Sequence, residues 1–174
     1  MKDTHIFRRA LSLAVPMMIQ NGITNAVSLV DNIMVGKLGT EAFTAVSIAG
    51  QLIFVFNLAV FGGLSGPGIY GAQYFGQKNK EGFQSTVRIK HIIGLGVLVL
   101  GLCAFIFGGE FLINLYLQGE SKDIDPVLTM ELAKSYLGIM LWGLPAFVLT
   151  QIYAGSLRET GASLMPMAAG VVSV

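Results

Sequence analysis

Between Val15 and Gly39 the chain reads VPMMIQNGITNAVSLVDNIMVGKLG, and its polar residues keep helical spacing. Asn21, Thr24, Asn25, Ser28, Asp31 and Asn32 recur at i, i+3/4, i+7 and i+10/11. At 3.6 residues per turn they share one face, a polar stripe of about two and a half turns or more, with Gln20 on its flank. Met, Ile, Val and Leu fill the opposite side. A helix with lipid on one side and a polar, acidic stripe on the other lines something wet or binds something polar. The stripe reads as the wall of a transport cavity.

The same periodicity predicts five helical segments, at about 10–34, 44–66, 89–108, 127–156 and 162–174. A polar start precedes the first. Pro16 lies inside it, where a missing backbone hydrogen bond kinks a helix and in a membrane marks a bend point. The alternative is a static kink. The glycine-proline run GGLSGPG, beginning at Gly62, is expected to stop the second helix. Residues 71–90 read as a polar, basic stretch with a short amphipathic helix at the surface. The third helix is almost purely apolar, with Gly94, Gly96 and Gly101 permitting close packing. An acidic loop over 109–126 carries Glu110, Glu120, Asp123 and Asp125 against Lys122. The fourth helix contains Pro145. The fifth has an apolar run of about 13 residues where about 20 are needed to span, so the chain is expected to end inside a helix.

Composition places these helices in a bilayer. The 174 residues are 53% hydrophobic and 12% charged, against about 25% charged in a soluble domain. The fold class is therefore all-α: a polytopic helical membrane protein, holding the first four transmembrane helices of a six-helix lobe and the start of a fifth. A net charge of +1 gives no basic balance that points to nucleic acid. The single Cys103 excludes an internal disulfide and a cysteine metal site, and His5 and His91 have no ligand partner at a recognisable spacing. Arg8 and Arg9 precede the first apolar run as in a signal peptide. That run is too long, holds Asp31 and lacks a small-x-small cleavage site, so it reads as a retained span.

Lys and Arg positions orient the spans. Lys2, Arg8, Arg9, Lys78, Lys80, Arg88, Lys90 and Arg158 fall on one side, and Lys37, Lys122 and Lys134 on the other, eight against three. The N-terminus is expected to be cytoplasmic, in a plasma (inner) membrane, with Asp31 in the outer half of the first helix.

Asp31 is the leading candidate. A charged residue at the centre of a membrane helix costs about 2.5–3.5 kcal/mol on insertion scales, and such residues mark ion and proton paths. Asp31 can take up and release a proton, or hold Na⁺ with oxygens from Thr24, Ser28 and Asn32. The bland alternative is an interfacial acid that caps the following loop. Asn21, Gln20, Gln51 and Tyr136 are candidates for the substrate cavity. Thr44, Ser47 and Gln51 share a face of the second helix. There they could meet the stripe or merely join helices, at about 0.6 kcal/mol per hydrogen bond. Gly62 and Gly66 read as a packing pair. Tyr136, Trp142 and Tyr153 also suit an interfacial aromatic belt. His91 reads as a headgroup contact. No nucleophile constellation, lysine-bearing phosphate loop or histidine metal pair appears, so neither an enzyme nor an ATP-driven pump is expected.

Several stretches resemble the multidrug and toxic compound extrusion (MATE) transporters. They are Val30-Asp31 running into Val35-Gly36-Lys37-Leu38-Gly39, Ala42 to Ser47, and Ala72-Gln73-Tyr74-Phe75-Gly76-Gln77. Tyr136, Pro145 and the Arg158-x-x-Gly161 turn complete the set. The resemblance covers nearly the whole chain. It implies a partial N-lobe of a twelve-helix transporter with two six-helix lobes, an antiporter that expels amphiphilic organic cations in exchange for H⁺ or Na⁺. Asp31 then matches the family's first-helix acid, Pro16 its first-helix proline and Tyr136 a fourth-helix tyrosine. No cofactor beyond the coupling ion is implied. The partners implied are a small-molecule substrate, the lipid bilayer and a C-terminal lobe in the parent chain. The Arg-Glu-Thr-Gly turn departs from the family pattern, and the fifth-helix polar residues would lie beyond Val174. Two other readings stand beside this one. A lipid-linked sugar flippase would favour basic residues inside the cavity, and none is expected within the first three helices. A non-transporting scaffold would bury the stripe dry at a helix interface.

Overall fold

The computed structural model describes residues 2–118 and 124–172, with side chains described from Leu11 to Gly170 except at Ser12, Leu13, Pro16 and 119–123. Five helices follow one another: α1 (Lys2–Gly36), α2 (Thr40–Gly76), α3 (Lys80–Leu117), α4 (Pro126–Glu159) and α5 (Leu164–Val172). No strand occurs among the described residues.

The helices are longer than the sequence pattern implies. α1 begins at Lys2, where a polar start was expected. The GGLSGPG run does not stop α2, which continues through Pro67 to Gly76. Proline removes one donor and kinks a helix, but backbone groups at membrane depth have no water to turn to, so the helix persists. The expected surface helix over 71–90 is instead the end of α2 and the first turns of α3. α3 in turn absorbs the start of the acidic loop. Glu110 lies on α3 and pairs with Lys134 of α4, while Asp125 caps α4, accepting from the backbone N–H of Val127 and Leu128 at 2.9 and 3.3 Å. Glu120, Lys122 and Asp123 of the expected acidic loop lie outside the described residues.

Two turns at one end of the bundle share a motif. At the end of α2, Lys78 adopts φ 57°, Lys78 N–H donates to the Phe75 carbonyl and Asn79 N–H to that of Tyr74. Asn79 then caps α3, its side chain accepting from Gly82 N–H at 3.0 Å. At the end of α4, Gly161 (φ +84°) donates to Arg158 and Ala162 to Leu157. In both, a left-handed residue satisfies the last carbonyls of a helix.

α2, α3 and α4 share one core. Ala45, Ile48, Ala49, Leu52, Phe56 and Val60 of α2 face Phe105 and Ile113 of α3 and Leu137, Leu144, Val148 and Ile152 of α4. Glycines set the spacing. A Cβ at Gly94 would stand 2.8 Å from Ile152, and one at Gly101 would stand 2.5 Å from the Phe56 ring. The expected pair Gly62 and Gly66 packs against nothing, and a Cβ on Gly96 would also meet open space. Gly63 makes the α2–α3 approach instead, 2.9 Å from Ile93. α1 lies outside this trio, against α2 and α5.

The outer surface is apolar. Phe61, Phe107 and Trp142 are 75%, 87% and 89% exposed. Among the described residues α2, α3 and α4 are long and apolar enough to cross a membrane. At 1.5 Å per residue α2 and α3 are about 55 Å long, against a hydrocarbon core of about 30 Å, so the membrane boundary falls within the helices and not at the turns.

Candidate functional site

The stripe on α1 survives as an exposed face. Asn21, Thr24, Asn25, Ser28, Asp31 and Asn32 are all exposed. The Thr24 hydroxyl donates to the Gln20 carbonyl at 3.0 Å, and Ser28 to the Thr24 carbonyl at 3.1 Å. This back-bonding occupies each hydroxyl proton within the helix and leaves the oxygen lone pairs outward, able to meet a cation. Asp31 follows one turn later. Its carboxylate has no hydrogen-bond or ion-pair partner among the described residues.

The other candidates are dispersed. Gln20 is half-buried against α5, where a Cβ on Gly170 would stand 2.6 Å from its amide nitrogen. Gln51 is exposed on α2, whereas Thr44 on the same helix is buried. Tyr136 packs, half-buried, against the α2–α3–α4 core. The α1 backbone is helical through Pro16, whose side chain lies outside the described residues. The structure thus gathers Gln20, Thr24, Ser28 and Asp31 along one helix, and places Tyr136 with the core.

A second polar cluster was not anticipated. Lys90, expected at the surface as a topology-setting cation, is 1% exposed and forms an ion pair with Glu159 of α4. Its ammonium group also reaches the Ser156 hydroxyl at 3.3 Å. The Glu159 carboxylate lies against α2 at Gly68 and Gly71. A Cβ at Gly68 would approach it to 2.8 Å, and one at Gly71 would collide with it. Burial of both charges in one pair avoids the cost of a lone buried charge. His91 is likewise more structural than expected, its ring edge-on to Tyr153 with centroids 5.5 Å apart. The expectation that the first three helices hold no basic residue is also corrected: Lys80, Arg88 and Lys90 all lie on α3, Lys90 buried in its ion pair and Lys80 and Arg88 exposed.

One sequence signal pointed to Lys90. Thr86, Lys90 and Gly94 recur every fourth residue and all three are buried, while Ile92, Leu95 and Val99 occupy the exposed side. A lysine in register with a small, packed face is a buried lysine.

Long apolar helices with a packed trio and a lipid-like exterior define a polytopic α-helical integral membrane protein. The MatE family model matches residues 16–174, and the chain belongs to that family. It is similar to the probable multidrug resistance protein YoeA of Bacillus subtilis, 29% identical over 95% of this chain and 35% of that protein. It is also similar to the probable multidrug resistance protein NorM of Shewanella oneidensis, 27% identical over 96% of this chain and 35% of that protein. The corresponding NorM of Thermotoga maritima is 23% identical over 93% of this chain and 33% of that protein. The chain spans about a third of the length of these relatives. No solved structure matches it significantly.

Proposed function

We propose that this chain is the first part of the N-lobe of a secondary antiporter that exports amphiphilic organic cations in exchange for H⁺ or Na⁺. The observation that carries the reading is the exposed stripe of α1, with a carboxylate that has no partner among the described residues, in a chain of the MatE family. The names of the relatives, all multidrug resistance proteins, support the substrate class.

In this reading Asp31 is the coupling residue. Thr24, Ser28 and Asn32 offer it neighbouring oxygens, and Asn21, Gln51 and Tyr136 contribute to the substrate path. Substrate and ion then use the pocket alternately, as the lobes expose it first to one side and then to the other. The second lobe is supplied by the longer parent protein. The basic residues support a cytoplasmic N-terminus in an inner membrane, seven against three once buried Lys90 is set aside.

The test is Asp31→Asn in the full-length protein. Ion-coupled dye efflux should fall to background while membrane insertion and yield hold. Efflux at the wild-type rate would remove Asp31 from the mechanism.

A further inference from the structure

Toward the Lys78 turn, α2 and α3 close on either side of a gap. Near the turn, the Tyr74 ring lies on Gly82, where a Cβ would stand 2.6 Å from the ring. Deeper in, Ile93 lies on Gly63 at 2.9 Å from its Cβ position. Between these closures is an open slot of about 530 Å³, lined by Pro67, Tyr70 and Tyr74 of α2 and by Ser85, Thr86 and Ile89 of α3. Its walls are mostly apolar. The phenol of Tyr70, 60% exposed, and the Ser85 hydroxyl make no hydrogen bond within the described protein.

The slot sits at the level where both helices change character. On the turn side the sequence is polar, QKNKEGFQ, and beyond His91 it is apolar. This is the composition of a membrane–water interface, with tyrosines at headgroup depth. Lys78 and Lys80 stand at the turn that closes the slot, and Arg88 lies three residues beyond Ser85 on α3. All three are exposed and have no ion pair among the described residues, whereas Lys90 is consumed by Glu159. Glu81 is the one acid between Gln77 and Lys90. The slot is therefore apolar within and cationic at its mouth, and it opens on the outer surface of two spanning helices.

We propose that this slot binds a phospholipid with an anionic headgroup. The glycerol and upper methylenes occupy the space between Pro67 and Ile89, Tyr70 and Ser85 hydrogen-bond the ester or phosphate oxygens, and Lys80 and Arg88 face the headgroup charge. Basic pockets between spans on the cytoplasmic side suit such headgroups. The proposal rests on the spans and the slot and not on the transport reading.

The experiment is native mass spectrometry of the full-length protein, extracted from vesicles of equal phosphatidylglycerol and phosphatidylcholine. Wild type should retain phosphatidylglycerol over phosphatidylcholine by about tenfold or more, since each basic residue near an anionic headgroup contributes roughly fivefold. Ser85→Phe, which fills the slot, should lose both lipids. Lys80→Gln with Arg88→Gln leaves the slot open and should retain lipid without headgroup preference. Equal retention of the two lipids by wild type would overturn the anionic assignment. Unchanged phosphatidylglycerol retention in both variants would move the lipid elsewhere on the protein. Dye efflux in the same preparations distinguishes this from the antiport reading, which stands or falls with Asp31.

Discussion

Lys90 and Glu159 show how far a single residue's role can lie from its local sequence. The two are separated by 69 positions, and nothing beside either announces the other. Asp31 was legible because its neighbours repeat with helical spacing on the same element. Lys90 reads as a surface cation because it follows Arg88 in a basic stretch, and only its register with Thr86 and Gly94 points inward. The pair gives a sharp test at this scale. Removing one partner of a buried ion pair costs about 3–5 kcal/mol, whereas replacing both by apolar residues of similar volume is often neutral or better. Lys90→Met alone should therefore sharply lower the unfolding temperature of the purified protein in detergent. Lys90→Met with Glu159→Met should restore most of it, because a methionine can follow the same path over Gly68 and Gly71. A double variant as unstable as the single one would contradict this account.

At the scale of elements, helix existence was readable and helix ends were not. Five apolar segments became five helices in the right order, yet α2 and α3 each extend well past the expected limits. The expected stops are glycine, which exposes the backbone to water, and proline, which removes one donor and clashes with the preceding turn. In a bilayer the freed backbone groups find no water, and the helix continues. Glycine roles were equally divided, since a small residue packs only where a neighbour arrives. Gly94 has Ile152 and Val148 at 2.8 and 3.1 Å from its Cβ position, while Gly62 faces open space. Gly94→Ala should accordingly destabilise by about 1–3 kcal/mol through overpacking. Gly62→Ala should be neutral or slightly stabilising, because alanine is the better helix former. Chemical denaturation of the two variants beside wild type reads the difference, and equal losses would show that the α3–α4 spacing does not depend on Gly94.

Across the whole molecule, contact is unevenly shared. α2, α3 and α4 hold a common core, while α1, which carries the stripe, meets α2 along one side and α5 near Gln20 and Gly170. Sequence periodicity showed which face of α1 is polar. It could not show which helices α1 would leave alone, since that depends on how the trio closes. The uneven sharing bears on biogenesis. α1 leaves the ribosome first, but the α5 residue that receives Gln20 is made about 150 residues later, a delay of roughly 8 to 30 s at ordinary synthesis rates. Through that interval a helix bearing Asp31 and three asparagines has only part of its final neighbourhood. The order of synthesis is thus the reverse of the order of consolidation, and α1 is expected to stay beside the insertion machinery until α5 arrives. A photocrosslinker at Val30 in arrested nascent chains would follow this directly. Contacts to the translocon should persist in chains stopped after α4 and vanish once α5 is out. Early release of α1 into lipid would mean that the acid is tolerated there without a partner helix.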